Sequence, residues 1–159
     1  MIQVDHMLGI PNDTLQSQEN AVLFYNIHRP HLISIFWLTY YPRTDIIQTA
    51  KSLGIINQQN IDCIEQGIKI TSESYLTGGS LKNPQPYYSI SFTLNWLPLI
   101  PKPIIVFLVK SHLYRIFKIK HYYISTALPR IIRSIIDKRD FRGRSHIIRF
   151  KNKLISKWG

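Results

Sequence analysis

From Ile2 to Leu8 the chain alternates, with Ile2, Val4, His6 and Leu8 on one side and Gln3, Asp5 and Met7 on the other. That is the period of a half-buried β-strand. Gly9-Ile10-Pro11-Asn12 breaks the pattern, and Asp13 or Thr14 can cap a following helix by accepting a hydrogen bond from a free N–H of its first turn. Gln16, three residues after Asp13, makes a capping box available. The helix is predicted to run to His28, with Leu15, Val22 and Tyr25 on one stripe, and to stop because Pro30 drives Arg29 out of the helical region. "HLISIFWL", residues 31–38, is apolar at nearly every position, the pattern of a parallel strand covered on both faces. Strand, helix and strand in this order predict a right-handed βαβ unit.

Two shorter helices follow, Asp45 to Leu53 closed by Gly54 and Asn60 to Gln66 closed by Gly67, since glycine readily takes the left-handed conformation that ends a helix. Residues 71–89, rich in Ser, Gly, Pro and Tyr, read as a loop, and "TGGS" within it lacks the lysine of a phosphate loop. The window "ISFTLNWLPLIPKPIIVFLVK" holds Asn95, Lys102 and three prolines, and no membrane crossing is expected from it, because a spanning helix needs about 20 apolar residues. Beyond Pro103 three helices are expected: Ile104 to His121, Leu128 to Lys138 and Ser145 to Lys157. Ile131, Ile132, Ile135 and Ile136 form one apolar stripe, and Ile147, Phe150, Leu154 and Trp158 another.

Charge divides the chain more sharply than hydropathy does. Residues 1–101 carry five basic and seven acidic side chains, whereas residues 102–159 carry fifteen basic side chains against Asp137 and Asp140, a balance of +13. Such a segment is drawn to polyanions, RNA or an anionic membrane surface; a solvated helix face is the plain alternative. Tyr87, Tyr88 and Trp96 beside it read as packing residues first and base-stacking residues second. Cys63 is the only cysteine, which excludes an intrachain disulfide, a cysteine zinc site and an iron–sulfur cluster held by this chain. No metal-ligand spacing occurs among the histidines, and no Gly-x-Ser-x-Gly elbow points to a hydrolase. His28 and His31 flank Pro30 as surface or cap residues. The polar start of the chain does not resemble a secretory leader, so a cytoplasmic location is expected, with peripheral membrane contact as an open alternative.

The string "VDHMLGIPNDTLQSQENAVLFY", followed by "RPHLISIFWLTYYPRTDIIQTAKSLGII", resembles the last βαβ portion of radical S-adenosylmethionine enzymes, most closely the cobalamin-binding subclass. An Asp stands four residues before Gly-aliphatic-Pro, a Thr caps an apolar helix ending in Arg-Pro, and an apolar strand leads to Tyr-Tyr-Pro-x-Thr. Asn12 departs from the family's usual Gly; Asn tolerates positive φ better than most residues. The likeness covers residues 2–67 and fades beyond them.

The resemblance implies an α/β fold: the last βαβ portion of a partial (β/α) TIM-like barrel over residues 1–70, a loop or linker over 71–102, and a basic α-helical C-terminal extension over 103–159. It implies a partial S-adenosylmethionine site. Asp5 would accept hydrogen bonds from the ribose hydroxyls, Met7 would pack on the adenine and Gly9 would admit the ligand close to the backbone. Ile35 and Trp37 would line the base, and Tyr40 and Tyr41 would lie toward the substrate. The family's three-cysteine loop has no counterpart here, so no catalytic or metal residue is assigned; the [4Fe–4S] cluster and cobalamin are expected only in the full-length parent. The chain is then expected to be a C-terminal portion, inactive alone, whose partner is the missing N-terminal part of the barrel. The competing expectation is a basic binding module whose residues 102–159 dock on a polyanion.

Overall fold

A computed structural model describes residues 2–72, 85–117 and 123–136 together with residue 148. Among these the architecture is mixed α/β and mostly helical: β1 (Gln3–Leu8), α1 (Leu15–His28), β2 (Leu32–Trp37), β3 (Thr39–Tyr40), α2 (Asp45–Ser52), α3 (Gln58–Glu65), β4 (Ile70–Thr71), α4 (Gln85–Trp96), α5 (Lys102–Lys110), a 3-10 turn at Leu113–Ile116, a π-turn at Tyr123–Ala127, and α6 (Leu128–Ile136). β1 and β2 pair in parallel, Gln3 opposite Leu32 through Leu8 opposite Trp37, and β3 pairs antiparallel with β4. The described strands therefore make two two-stranded sheets, not a barrel wall of several strands.

Local chemistry explains most boundaries. Asn12 takes φ 69°, so the turn survives without glycine. Thr14 is the N-cap of α1, and Ser17, not Gln16, completes its capping box. Arg29 ends the helix in the left-handed region (φ 47°), ahead of Pro30. Asn57 and Asn60 cap α3 reciprocally, which starts that helix two residues earlier than its apolar pattern implies.

Two cores result. In the larger, Leu8, Val22 and Ile33 of the βαβ unit meet Ile90, Leu94, Leu97, Ile105, Val109 and Tyr114. In the smaller, Leu38 and Tyr40 pack with Ile47, Ala50, Ile56 and Ile64.

Three expectations are corrected here. Residues 85–96, taken above for loop and linker, form α4, whose Ile90 and Leu94 are fully buried against the βαβ unit. The Ser, Gly and Pro signal belongs to residues 73–84, which lie outside the described residues. The helix expected from Ile104 to His121 spans Lys102–Lys110 only: Ser111 returns its hydroxyl to the Phe107 carbonyl at 2.6 Å, and His112 turns left-handed at φ 56°. The Ile131, Ile132, Ile135 and Ile136 stripe of α6 is covered only in part: Ile131 and Ile132 are half-buried, Ile135 and Ile136 are 67% and 72% exposed, and Pro129 and Ser134 are buried. Apart from residue 148, the helix expected over Ser145–Lys157 lies outside the described residues. No helix among the described residues is long and apolar enough to cross a membrane.

Gly9, at the end of β1, has φ 79°, and a Cβ there would collide with the side chain of Ser72, whose hydroxyl donates to the Leu8 carbonyl at 3.2 Å. Gly54 has φ 67° and open space around it. Gly54→Ala is therefore expected to cost about 1 kcal/mol through backbone conformation alone. Gly9→Ala is expected to cost about 3 kcal/mol, part of it restored by Ser72→Gly. Chemical denaturation of the four proteins measures both differences.

Candidate functional site

The parallel register sorts the sequence-assigned residues by face. Gln3, Asp5 and Met7 share one face with Leu32, Ser34 and Phe36; Val4, His6 and Leu8 share the other with Ile33, Ile35 and Trp37. The second face is packed. Leu8 and Ile33 are core residues, Ile35 and Trp37 pack against that core, and the Trp37 ring lies 5.5 Å from Tyr88. The first face is open, with Met7 43% and Phe36 49% exposed. The cover on both faces expected for this sheet is thus found on one. Asp5 is exposed and accepts from the Gln3 amide at 3.3 Å; the same amide reaches Ser34 Oγ at 3.5 Å.

The assigned set accordingly separates. Asp5 and Met7 stay together on the open face, and their cross-strand neighbours there are Ser34 and Phe36, not Ile35 and Trp37. The approach that Gly9 permits is taken by Ser72. Tyr40 is 2% exposed in the smaller core, where burial raises its phenol pKa, whereas Tyr41 is 63% exposed. Among the described residues no group of three or more His, Cys, Asp or Glu side chains gathers as a metal site.

The chemistry absent from the sequence reading lies on the inner face of α1, which buries Gln18, Glu19, Val22 and Asn26. Each polar member has a partner. The Asp13 carboxylate can only accept, so it orients the Gln18 amide with its NH2 toward Asp13 and its carbonyl toward His6. His6 then donates from Nε2 to Gln18 Oε1 at 2.7 Å, and its Nδ1 accepts from the Tyr25 hydroxyl at 3.2 Å. This is the neutral ring, and burial lowers the His6 pKa, outweighing the Gln18 bond and the Asp13 charge. An amide separates the carboxylate from the imidazole, so the chain orients groups without relaying a proton between them.

Glu19, 3% exposed, receives the segment after α5. Its Oε1 accepts from the Tyr114 hydroxyl at 2.5 Å, Arg115 Nη2 at 3.1 Å and His112 Nδ1 at 3.0 Å. Burial alone would raise its pKa, but these three donors and the His112 charge outweigh it and hold the carboxyl below its ordinary value. Burial and the same bond push the Tyr114 phenol up to about 12. Asn26 donates to the Lys102 carbonyl at 3.0 Å, and Arg29 donates to the Leu97 and Ile100 carbonyls past the end of α4, a cation where the helix dipole is negative. The spacing of residues 15, 18, 22 and 26 along one stripe was the available signal; its polar members hid it.

A small, shallow cleft, with a cavity volume of about 20 Å³, lies between the start of β2, the end of α4 and α6. Leu32, Ile33, Asn95 and Pro129 line it with Arg130 and Arg133, and Arg130 Nε is buried with no hydrogen-bond partner among the described residues. The arginines of α6 thus face the protein.

Acid should act on the polar face of α1 in two stages. His6 is a base whose folded pKa is lowered, so its contribution is complete above 6.5 and declines as the pH falls below it; Glu19 is an acid with a lowered pKa, and its contribution declines as the pH falls below 4.5. Unfolding free energy measured against pH is expected to show both declines, and His6→Asn to remove the upper one. Tyr114→Phe should cost about 2 kcal/mol at neutral pH, the range of a hydrogen bond to a charged group. Comparison of the chain with protein-family models, with curated proteins and with solved structures returns no match.

Proposed function

We propose that this chain is the C-terminal portion of a radical S-adenosylmethionine enzyme of the cobalamin-associated kind, supplying the adenosine-facing strands of its barrel and inactive without the rest. One observation carries the reading: β1, α1 and β2 form a parallel unit packed by helices on one face, while the other face, with Asp5 and Met7, is open, and each strand has one edge with no described neighbour. A pair of parallel strands with free edges and an uncovered apolar face is a piece of a larger sheet. In a (β/α) barrel the helix-covered face is the outer one and ligands meet the strands' C-terminal ends.

The donor set suits the nucleoside half of S-adenosylmethionine. Asp5, held only by Gln3 among the described residues, keeps acceptor capacity for ribose hydroxyls. Met7 and Phe36, opposite one another in register, offer an apolar surface for a base. In this proposal Phe36 takes the contact assigned above to Ile35 and Trp37, and Tyr41, not the buried Tyr40, remains available toward the substrate. A [4Fe–4S] cluster supplies the electron that cleaves S-adenosylmethionine; its thiolates and the cobalamin belong to the remainder of the enzyme, since Cys63 is the only cysteine here.

Anaerobic co-expression with the product of the neighbouring upstream reading frame tests this. A co-purifying complex with iron–sulfur absorbance and S-adenosylmethionine cleavage is expected, and Asp5→Ala should lower cleavage at least about tenfold, the loss expected from removing a hydrogen-bonding partner of a ribose hydroxyl. A neighbouring frame without a three-cysteine loop, or cleavage unchanged by Asp5→Ala, would count against it.

A further inference from the structure

α6 carries Arg130 and Arg133 three residues apart, neighbours on one helix face, and both line the cleft at the start of β2. The rest of the described wall is apolar except for Asn95, whose amide donates to the Ser91 carbonyl of its own helix at 3.0 Å. No Asp or Glu is among the described residues that line the cleft. Two cations on neighbouring turns of a helix repel one another. Arg133 is engaged within the fold. Arg130 is the exception in one respect: its Nε is buried with no hydrogen-bond partner among the described residues. A donor on a charged group, taken from water and left without an acceptor, keeps its desolvation cost.

An oxyanion removes both costs at once. The Nε edge of a guanidinium presents two parallel N–H donors, the geometry that phosphate and carboxylate oxygens match in pairs. The cavity volume of about 20 Å³ decides what else can enter. A single water needs roughly 10–15 Å³ on this measure, so one ligand oxygen fits and a base or a planar cofactor does not. Because the cleft is shallow, the remaining oxygens of a tetrahedral anion stay at its mouth, on the side of the two arginines. A carboxylate would balance one of these cations, whereas a phosphate dianion balances both.

We infer that the cleft between β2, α4 and α6 binds a phosphate group through Arg130, with Arg133 supplying the second positive charge. The nucleoside site proposed above lies toward the C-terminal ends of β1 and β2, and the cleft lies where β2 begins, so neither reading rests on the other.

Titration calorimetry of the full chain with inorganic phosphate tests this, at constant ionic strength so that general attraction to a basic chain is screened equally throughout. Saturable binding at one site is expected, with acetate binding more weakly. Arg130→Met should weaken phosphate binding at least about tenfold, the loss expected for a charge-assisted pair. The same variant should melt in phosphate-free chloride at or above the parent's temperature, because a buried N–H without an acceptor goes with the guanidinium. Lys110→Gln, which removes an exposed cation outside the cleft, should bind phosphate as the parent does. A parallel titration with glycerol phosphate separates two sources of the group: an affinity above that of inorganic phosphate assigns it to an ester, and one no higher assigns it to the free ion. The inference is overturned by a chain that shows no saturable binding, or by a Lys110→Gln variant that loses as much affinity as Arg130→Met. It is overturned equally if Arg130→Met melts well below the parent, since the guanidinium would then be partnered within the fold.

Discussion

A carboxylate that folding removes from water must be supplied with donors, and Glu19 is that carboxylate. α1 carries Gln18, Glu19 and Asn26 into the interior along with Val22, and an apolar partner could cover Val22 alone. The rest of the chain is arranged around this demand. The left-handed residue His112 ends α5 early so that His112, Tyr114 and Arg115 all reach one oxygen of Glu19. Asn26 and Arg29 take the carbonyls at the α4 to α5 corner, and His6 takes Gln18. Helices distant in sequence are thereby placed on one face of the β1–β2 pair. That face is closed, and the opposite one is left to whatever else the strands were built to meet.

The strands and the first helix were legible because their signals are local. Alternation assigned Gln3 to Leu8, the Arg-Pro pair stopped α1, and Asn12 advertised its own tolerance of positive φ. α4 was not, because residues 85–89 begin with Gln, Pro, Tyr, Tyr and Ser, a composition shared with the preceding segment; its helical state rests on burial of Ile90 and Leu94 against partners that local propensity does not report. α5 was overextended for the opposite reason. Its apolar pattern continues past Lys110, and the interaction that ends it is with Glu19, more than ninety residues earlier in the chain.

The candidate site was legible by half. Asp5 and Met7 share a face, as alternation requires, but Ile35 and Trp37 depend on the register between β1 and β2, and a parallel register carries no turn to announce it. With Asp5 opposite Ser34, the odd-numbered residues of β2 turn to the helices, and Phe36 joins Met7 outside. Gly9 takes the positive φ of a turn, and the space beside it is filled by Ser72, which follows β4, a two-residue strand too short to read in sequence.

The proposed function depends on the open face of β1 and β2 being a surface that the rest of a barrel would cover. Hydroxyl-radical footprinting of the chain alone and of its complex with the cluster-bearing portion measures that directly. The account predicts that Met7 and Phe36 are modified in the chain alone and protected in the complex, with Trp37 protected in both. Met7 and Phe36 already protected in the chain alone, or equally modified in the complex, would contradict it.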